Sequence, residues 1–355
     1  MAMQVYEAGT NPCLFDTQKV LKGEVRPPFP TMLDNTRWSA WKKCPRYFLK
    51  NHLLHRVESA DNIHLVAGGS FAAGNDAFRR TYYDEDSEYK GDREESLINA
   101  CFAAIKHYGY DEVREKDPEW AMNAKSCARI LMALDSYWKT HNPKIDKIKQ
   151  VILDGKAASE TSITFPLDVC HPVTGEPIIW HGRFDAIVEY MGSLMALDDK
   201  TATSLGASWP KQWPMRGQFM GYAYGARRLG YDIAGTIVRG TAILKTSINH
   251  MSVPVRHTPG ILNKWYDQVN TDVEQMIEDW KAGKWNYNMA DGCASYGSCT
   301  FLDSCLSNFE YMPLELLPIR VWTPEDPEAS RTYDLARIQT IRREHGYYKE
   351  ENVPD

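Results

Sequence analysis

No apolar run in the chain approaches the roughly 20 residues that a helix needs to cross a bilayer. The first residues, Met1-Ala2-Met3-Gln4-Val5-Tyr6-Glu7, lack the basic start and apolar centre of a signal peptide. Both absences predict a cytoplasmic protein with no membrane partner. Positive charge is not in excess: 41 Lys and Arg stand against 47 Asp and Glu, a net charge of −6. That argues against a protein that coats nucleic acid indiscriminately, but leaves room for a local basic groove. Cysteine is sparse, eight in 355 residues, and no two form a Cys-x-x-Cys pair. A reducing compartment disfavours four structural disulfides, and the missing pairs argue against a zinc ribbon. Nothing suggests a flavin or nicotinamide site. What is present is ordinary for a globular chain, 43% hydrophobic and 25% charged, with enough length for one large domain or two.

The most informative stretch is Gly182-Arg183-Phe184-Asp185, with Asp198-Asp199-Lys200 beginning thirteen residues after Asp185. Residues 177–190 are rich in β-formers, Met191-Gly192-Ser193 supplies a turn, and Leu194-Met195-Ala196-Leu197 leads into the acidic pair. In a strand, residues i and i+2 share a face, so Asp198 and Lys200 point one way and Asp199 the other. A short hairpin brings Asp185 beside them. Two carboxylates suit Mg²⁺ or Mn²⁺, with the Asp199 carbonyl as a third oxygen. Lys200 would orient or help deprotonate an attacking water, or offset phosphate charge. An isolated Asp-x-Lys is more often a solvated surface pair, so its weight comes from the paired strand and the features downstream.

Helices are expected near 36–50, from Gly68 through Arg80, over 91–107, over 117–140, from Met215 to Leu229 and from Pro259 to Ala282, with Gly283 as the last helix's stop. Strands are expected at about 150–154, 159–168, 177–190, 193–199, 233–245 and 250–255. Gln218 and Tyr222 fall one turn apart on one helix face. Arg216, beside them, belongs to the one basic cluster adjoining the motif. Trp209 and Trp213 could stack on bases, although in a chain with eleven tryptophans core packing is favoured. Cys101 and Cys127 read as core residues and Cys170 as a loop residue.

In order and spacing, Gly182-Arg183-Phe184-Asp185, Asp198-Asp199-Lys200-Thr201 and Gln218-Phe219-Met220-Gly221-Tyr222 resemble the core motifs of the RecB-like branch of the PD-(D/E)XK nucleases. Cys44, Cys293, Cys299 and Cys305 resemble the split cysteines of that branch's iron–sulfur-bearing members, among them recombination-subunit nuclease domains, CRISPR-adaptation exonucleases and phage exonucleases. The resemblance runs over residues 36–306. It implies Asp185, Asp198 and Lys200 as catalytic residues, with Mg²⁺ or Mn²⁺ held by Asp185, Asp198 and Asp199, and DNA contacted by Gln218, Tyr222 and Arg216. Glu160 matches an acid that relatives carry at the start of the central sheet; a strand-end carboxylate exposed to solvent fits equally well. One departure stands out. Where many relatives have a histidine, this chain has Ala72, with Asp76 at the acid four residues on, which leaves Asp76 as a candidate fourth residue of the Mg²⁺ or Mn²⁺ site, metal-facing or in its outer shell; a helix-surface acid fits nearly as well. Weaker metal affinity or a preference for Mn²⁺ would follow.

Four thiolates suit either tetrahedral Zn²⁺ or a [4Fe–4S] cluster, and spacing alone does not choose. The wide Cys293-x5-Cys299-x5-Cys305 spacing matches the nuclease relatives, which favours the cluster. Linking Cys44 to the trio closes a loop of about 250 residues, an entropic stabilisation on the order of several kcal/mol.

The implied fold is an α/β, restriction-endonuclease-like mixed central sheet flanked by helices, with an inserted helical subdomain and a cysteine-ligated cluster joining the N- and C-terminal segments. The expected divisions are an irregular arm at 1–35, a helical region at 36–149 carrying the first cluster ligand, a nuclease core at 150–310 and a charged tail at 311–355. Pro313, Pro318, Pro324, Pro327 and Pro354 punctuate that tail, which carries a short helical stretch near Arg331 to His345 and is either an extension over the domain or a surface for a replication or recombination partner. The expected function is a metal-dependent DNA nuclease, an exonuclease of replication, recombination or repair and a candidate phage product. The alternative is a catalytically weak or inactive DNA-binding or recombination scaffold on the same fold.

Overall fold

The computed structural model describes residues 4–59, 61–109, 117–289, 291–294, 298–324, 331–333 and 335–346. The main elements are β1 (Met32–Asp34), α1 (Asn35–Lys43), α2 (Ile63–Tyr83), α3 (Arg93–Tyr108), α4 (Cys127–Thr140), β2 (Ser159–Cys170), β3 (Pro177–Tyr190), β4 (Ser193–Ala202), α5 (Gly217–Arg228), β5 (Ile233–Ile243), β6 (Ile248–Arg256) and α6 (Pro259–Ala282). The fold is mixed α/β, with a central mixed sheet flanked by helices. Among the described residues, no helix is long and apolar enough to cross a membrane.

Residues group into two compact units: Asp61–Ile163 with Gly182–Tyr266, and Met1–Ala60 with Thr164–His181 and Asp267–Asp355. In the first of these, β6 pairs antiparallel with β5, β5 parallel with β4, and β4 antiparallel with β3; Lys149–Gln150 adds a short antiparallel edge to β3. The Met191-Gly192 turn that joins β3 to β4 uses left-handed backbone at both residues, φ 51° and 73°, the geometry of a tight two-residue hairpin. Helices α2, α3 and α4 bury Phe71, Phe78, Ala100, Ala104, Ile130, Leu134, Tyr137 and Trp138 together with Ile243 of β5. Gly74 on α2 is needed there, since a Cβ would sit 2.6 Å from Leu134 Cδ1. On α5, Phe219, Met220, Ala223 and Ala226 are buried, and the helix packs on β5.

In the other unit, β1 pairs parallel with the start of β3, Met32 opposite Ile179. Asp34 caps α1 by accepting the Arg37 N–H, and α1 stops at Cys44, which is extended at φ −168° ahead of Pro45. Trp38 donates to Asp272 at 2.9 Å and Trp280 to the Pro27 carbonyl at 2.7 Å, fixing α6 by its aromatic stripe.

Three local expectations change. The arm before residue 30 is not irregular: Gln4–Val5 pairs with Val25–Arg26, and Asp16 caps a helix at Thr17–Leu21, because Cys13, Phe15 and Val20 have a core to enter. The helix expected over 117–140 is broken into Pro118–Ala121 and α4, where Asn123 turns its side chain onto the Lys125 N–H and so competes with the helical ladder. Cys170 ends β2 instead of lying in a loop. The tail packs as well: Ile319 and Ile341 join Cys13 and Leu14 in one apolar cluster, and the helical stretch expected near its end is Leu335–Glu344. Pro327 and Pro354 lie outside the described residues.

Candidate active site

The β3–β4 hairpin does what its sequence suggests. Its last paired residues before the motif are Ala186 and Leu197, so one step further sets Asp185 opposite Asp198. Asp198 is fully buried, and Lys200 reaches it at 2.6 Å while keeping 31% of its side chain exposed. Asp185 Oδ2 accepts the Asp199 N–H at 2.6 Å. Gln218 on α5 donates to Asp198 Oδ1 at 3.2 Å and to the Tyr222 hydroxyl at 2.7 Å, so the one-turn spacing ties α5 to the acidic strand.

Tyr222 is buried, its ring 4.8 Å from Phe184 and so close to β3 that a Cβ at Gly182 would lie 3.3 Å from it. This gives Gly182 its reason in the motif. Arg216 is the exposed residue preceding α5. Trp209 and Trp213 are both buried and meet edge to face at 5.1 Å, so neither is free to stack on a base.

The Asp199 side chain turns to the opposite face, as alternation requires. There Arg79 of α2 pairs with it and the Tyr137 hydroxyl of α4 donates to it at 2.7 Å. Sequence reasoning missed these partners: Arg79 reads as one of a surface pair with Arg80, and nothing in the spacing connects Tyr137 to β4. Asp76 is held by Arg80 at 2.9 Å and accepts from the Ser159 hydroxyl, which also lies 3.3 Å from the Asp185 carbonyl. Asp76 therefore stands one hydrogen bond behind the Asp185 backbone. Glu160 pairs with Arg183 at 2.7 Å and has φ +49°, a left-handed backbone that a non-glycine residue adopts at a cost of about 1–3 kcal/mol.

The electrostatics follow from this placement. Burial, then the facing Asp198 carboxylate, push the Asp185 carboxyl well above the ordinary range. Burial raises Asp198 too, with Lys200 pulling against it. Burial alone would raise Asp199 as well, but Arg79 and Arg239 hold it below the usual value. Burial disfavours the Lys200 charge, yet Asp198 and Asp185 outweigh it and keep its pKa above that of an ordinary lysine. Two buried like charges directly opposite each other are costly, and a divalent cation would relieve that cost. The donors are hard oxygens, the chemistry that Mg²⁺ or Mn²⁺ takes.

Cys44, Cys293 and Cys299 of the other unit are linked through backbone contacts, and Cys305 is held by Lys50. The Asn288 N–H reaches Cys44 Sγ at 3.4 Å and the Asn288 carbonyl lies 3.5 Å from Cys293 Sγ. Cys299 N–H bonds the Cys293 carbonyl at 3.2 Å. Lys50, fully buried, lies 3.0 Å from Cys305 Sγ and 2.6 Å from Glu310. Burial pushes the Cys305 thiol up and Lys50 draws it back. Among the described residues, no group of three or more His, Cys, Asp or Glu side chains is arranged to hold a metal ion.

No protein-family model and no curated protein matches the chain. Among solved structures, a candidate exonuclease from Eubacterium rectale is similar at 11% identity and a TM-score of 0.42, covering 83% of this chain and 94% of that one. The protein SSO0001 is similar at 15% identity and a TM-score of 0.24, covering 68% of this chain and 85% of its own.

Proposed function

We propose that the chain is a metal-dependent DNA nuclease of the RecB-like PD-(D/E)XK kind, hydrolysing phosphodiester bonds as an exonuclease in replication, recombination or repair. The observation that carries this reading is Asp185 and Asp198 adjoining the end of the β3–β4 pairing, Asp185 bonded to the Asp199 N–H and Lys200 at 2.6 Å from Asp198. Asp185 and Asp198 would hold Mg²⁺ or Mn²⁺, with the Asp199 carbonyl as a further oxygen; the ion would supply Lewis-acid polarisation of a phosphate and a more acidic bound water. Lys200, held as a cation by its two carboxylate neighbours, would steady the attacking water or the phosphate charge and not take up a proton. Gln218 would orient Asp198, and exposed Arg216 would meet the DNA backbone. The missing histidine at Ala72 and the tying of Asp76 to Arg80 and Ser159 favour, as a second reading, a weakly active DNA-binding scaffold.

Cys44, Cys293, Cys299 and Cys305 would ligate a [4Fe–4S] cluster, with Zn²⁺ as the alternative. Asn288 between Cys44 and Cys293 supports a shared site, and the Lys50 ammonium would offset thiolate charge.

Digestion of end-labelled linear single- and double-stranded DNA with Mg²⁺ or Mn²⁺ tests the function. Cleavage that Lys200→Ala and Asp198→Ala both abolish, in folded protein, is the expected result. Metal-dependent cleavage retained in either variant would reject the assignment, and no cleavage by the parent chain would leave the scaffold reading.

A further inference from the structure

Asp199 sits between two residues of the proposed site and faces away from it. Its carboxylate is almost completely buried, 1% exposed, against Arg79, which is 2% exposed. The Tyr137 hydroxyl donates to the same carboxylate at 2.7 Å and accepts from Arg239 Nη1 at 3.2 Å. Arg239, on β5 directly beside Asp199, pairs in turn with Asp146, and His141 stands 3.7 Å from Asp146. Two arginines, from α2 and β5, and two aspartates, from β4 and the segment before β2, thus balance on the rear of β4, with Tyr137 of α4 between them.

The main chain of Asp199 works in the other direction, its N–H directed at Asp185 Oδ2 at 2.6 Å. One residue therefore anchors behind the strand and orients a carboxylate in front of it. The arrangement also discriminates between registers. Strand side chains alternate, so a one-residue slip exchanges the faces. In one direction it would set Lys200 in the place of Asp199, against Arg79 and Arg239, which repel it. In the other it would set Asp198 there and leave Leu197 in the place of Asp198, so only the observed register both pairs the arginines and keeps a carboxylate in front. Buried ionic groups that fix a register are the best-attested use of such networks.

We infer that Arg79, Asp199, Tyr137 and Arg239 form a rear clamp that selects which of two adjacent aspartates faces Asp185 and thereby sets the site's affinity for a divalent cation. The inference rests on the metal-dependent reading above. These are positioning residues: their effect reaches the cation through the orientation of Asp185 and Asp198, as outer partners of metal ligands do elsewhere.

Mn²⁺ binding to the full chain, measured by calorimetry without DNA, tests the clamp. Asp199→Asn is expected to raise the Mn²⁺ dissociation constant about tenfold, and Tyr137→Phe, which removes one hydrogen bond, about threefold. Leu134→Ala, a core truncation in the same unit, should lower the unfolding temperature and leave Mn²⁺ binding unchanged. Should Asp199→Asn not fold, Tyr137→Phe decides. Binding within twofold of the parent in the folded clamp variants would overturn the clamp while the metal site stands, provided Asp185→Asn abolishes binding. An equal loss of affinity in Leu134→Ala would overturn it too, as general loosening. A parent chain that binds no Mn²⁺ would sink both the site reading and the clamp.

Discussion

Replacing Asp185 with asparagine should make the cation-free protein more stable at pH values where Asp185 and Asp198 are both ionised. Directly opposite side chains on antiparallel strands are about 5 Å apart, and two unit charges at that distance repel by about 3 kcal/mol at an effective dielectric of 20. Lys200 cancels part of this, which leaves an expected gain of about 1–2 kcal/mol for Asp185→Asn, whose amide oxygen can still accept the Asp199 N–H. For a unit of this size that is a rise of roughly 2–8 °C in unfolding temperature.

The pH dependence has a definite sign. Because Asp185 and Asp198 are raised in the folded state by burial, the folded chain binds more protons than the unfolded one above the ordinary carboxylate range. Stability of the parent therefore falls as pH rises through that window, and the fall should be smaller in Asp185→Asn. Saturating Mn²⁺, at a hundred times its dissociation constant, should add about 2.7 kcal/mol to the parent and almost nothing to the variant. Thermal unfolding by circular dichroism, with chelator and with Mn²⁺ across a pH series, measures each of these. A variant no more stable than the parent in chelator, or one still stabilised by Mn²⁺, would show that the two carboxylates do not share a cation site.

Lys200→Ala should lower the cleavage rate about 10²–10³-fold with unchanged circular dichroism, read by end-labelled digestion. Gly240→Ala would place a Cβ 2.5 Å from Leu205 Cδ2 and 2.5 Å from Trp209 Cζ2; overpacking there should cost about 1–3 kcal/mol, seen as a lower denaturant midpoint. Lys125 is buried with a pKa lowered to about 8 by desolvation. The unfolded chain therefore binds the extra proton between that value and the ordinary lysine range, so stability should rise with pH there, and Lys125→Met should remove the rise. Anaerobically purified protein should be brown, and Cys299→Ser should bleach the visible absorption; a colourless parent would leave Zn²⁺ as the candidate.

The parts of the site that a reader of the sequence can find are those set by local period. Strand alternation separates Asp198 and Lys200 from Asp199, and the helical turn brings Gln218 to Tyr222, because both follow from backbone geometry within a few residues. Asp185 opposite Asp198 needs only a two-residue turn at Met191-Gly192. The partners of Asp199 were not legible, since Arg79, Tyr137 and Arg239 come from three elements far apart in sequence. Their types carry no spacing signal, and charge alone makes Arg79 look solvated. Trp209 could be read either way until Gly240 is seen to leave room for its indole. The helix over 117–140 was overextended because an apolar stripe continues across Asn123, whose side chain prefers its own local hydrogen bond. The N-terminal arm looks irregular in sequence because its prolines mask short elements held by residues from the other end of the chain.

That last dependence bears on synthesis. The unit containing β1 draws on Met1–Ala60 and Asp267–Asp355, whereas Asp61–Ile163 and Gly182–Tyr266 lie wholly between them. On the ribosome, the first 60 residues gain Thr164–His181 on the way but must wait for roughly 200 residues before the last part of their unit begins to emerge, on the order of 10–40 s at ordinary translation speeds. During that interval Trp38 has no Asp272 to bond, and Cys13 and Leu14 have no Ile341 to cover them. A message cut short before Asp267 would release a chain with that amino-terminal segment still unsheltered.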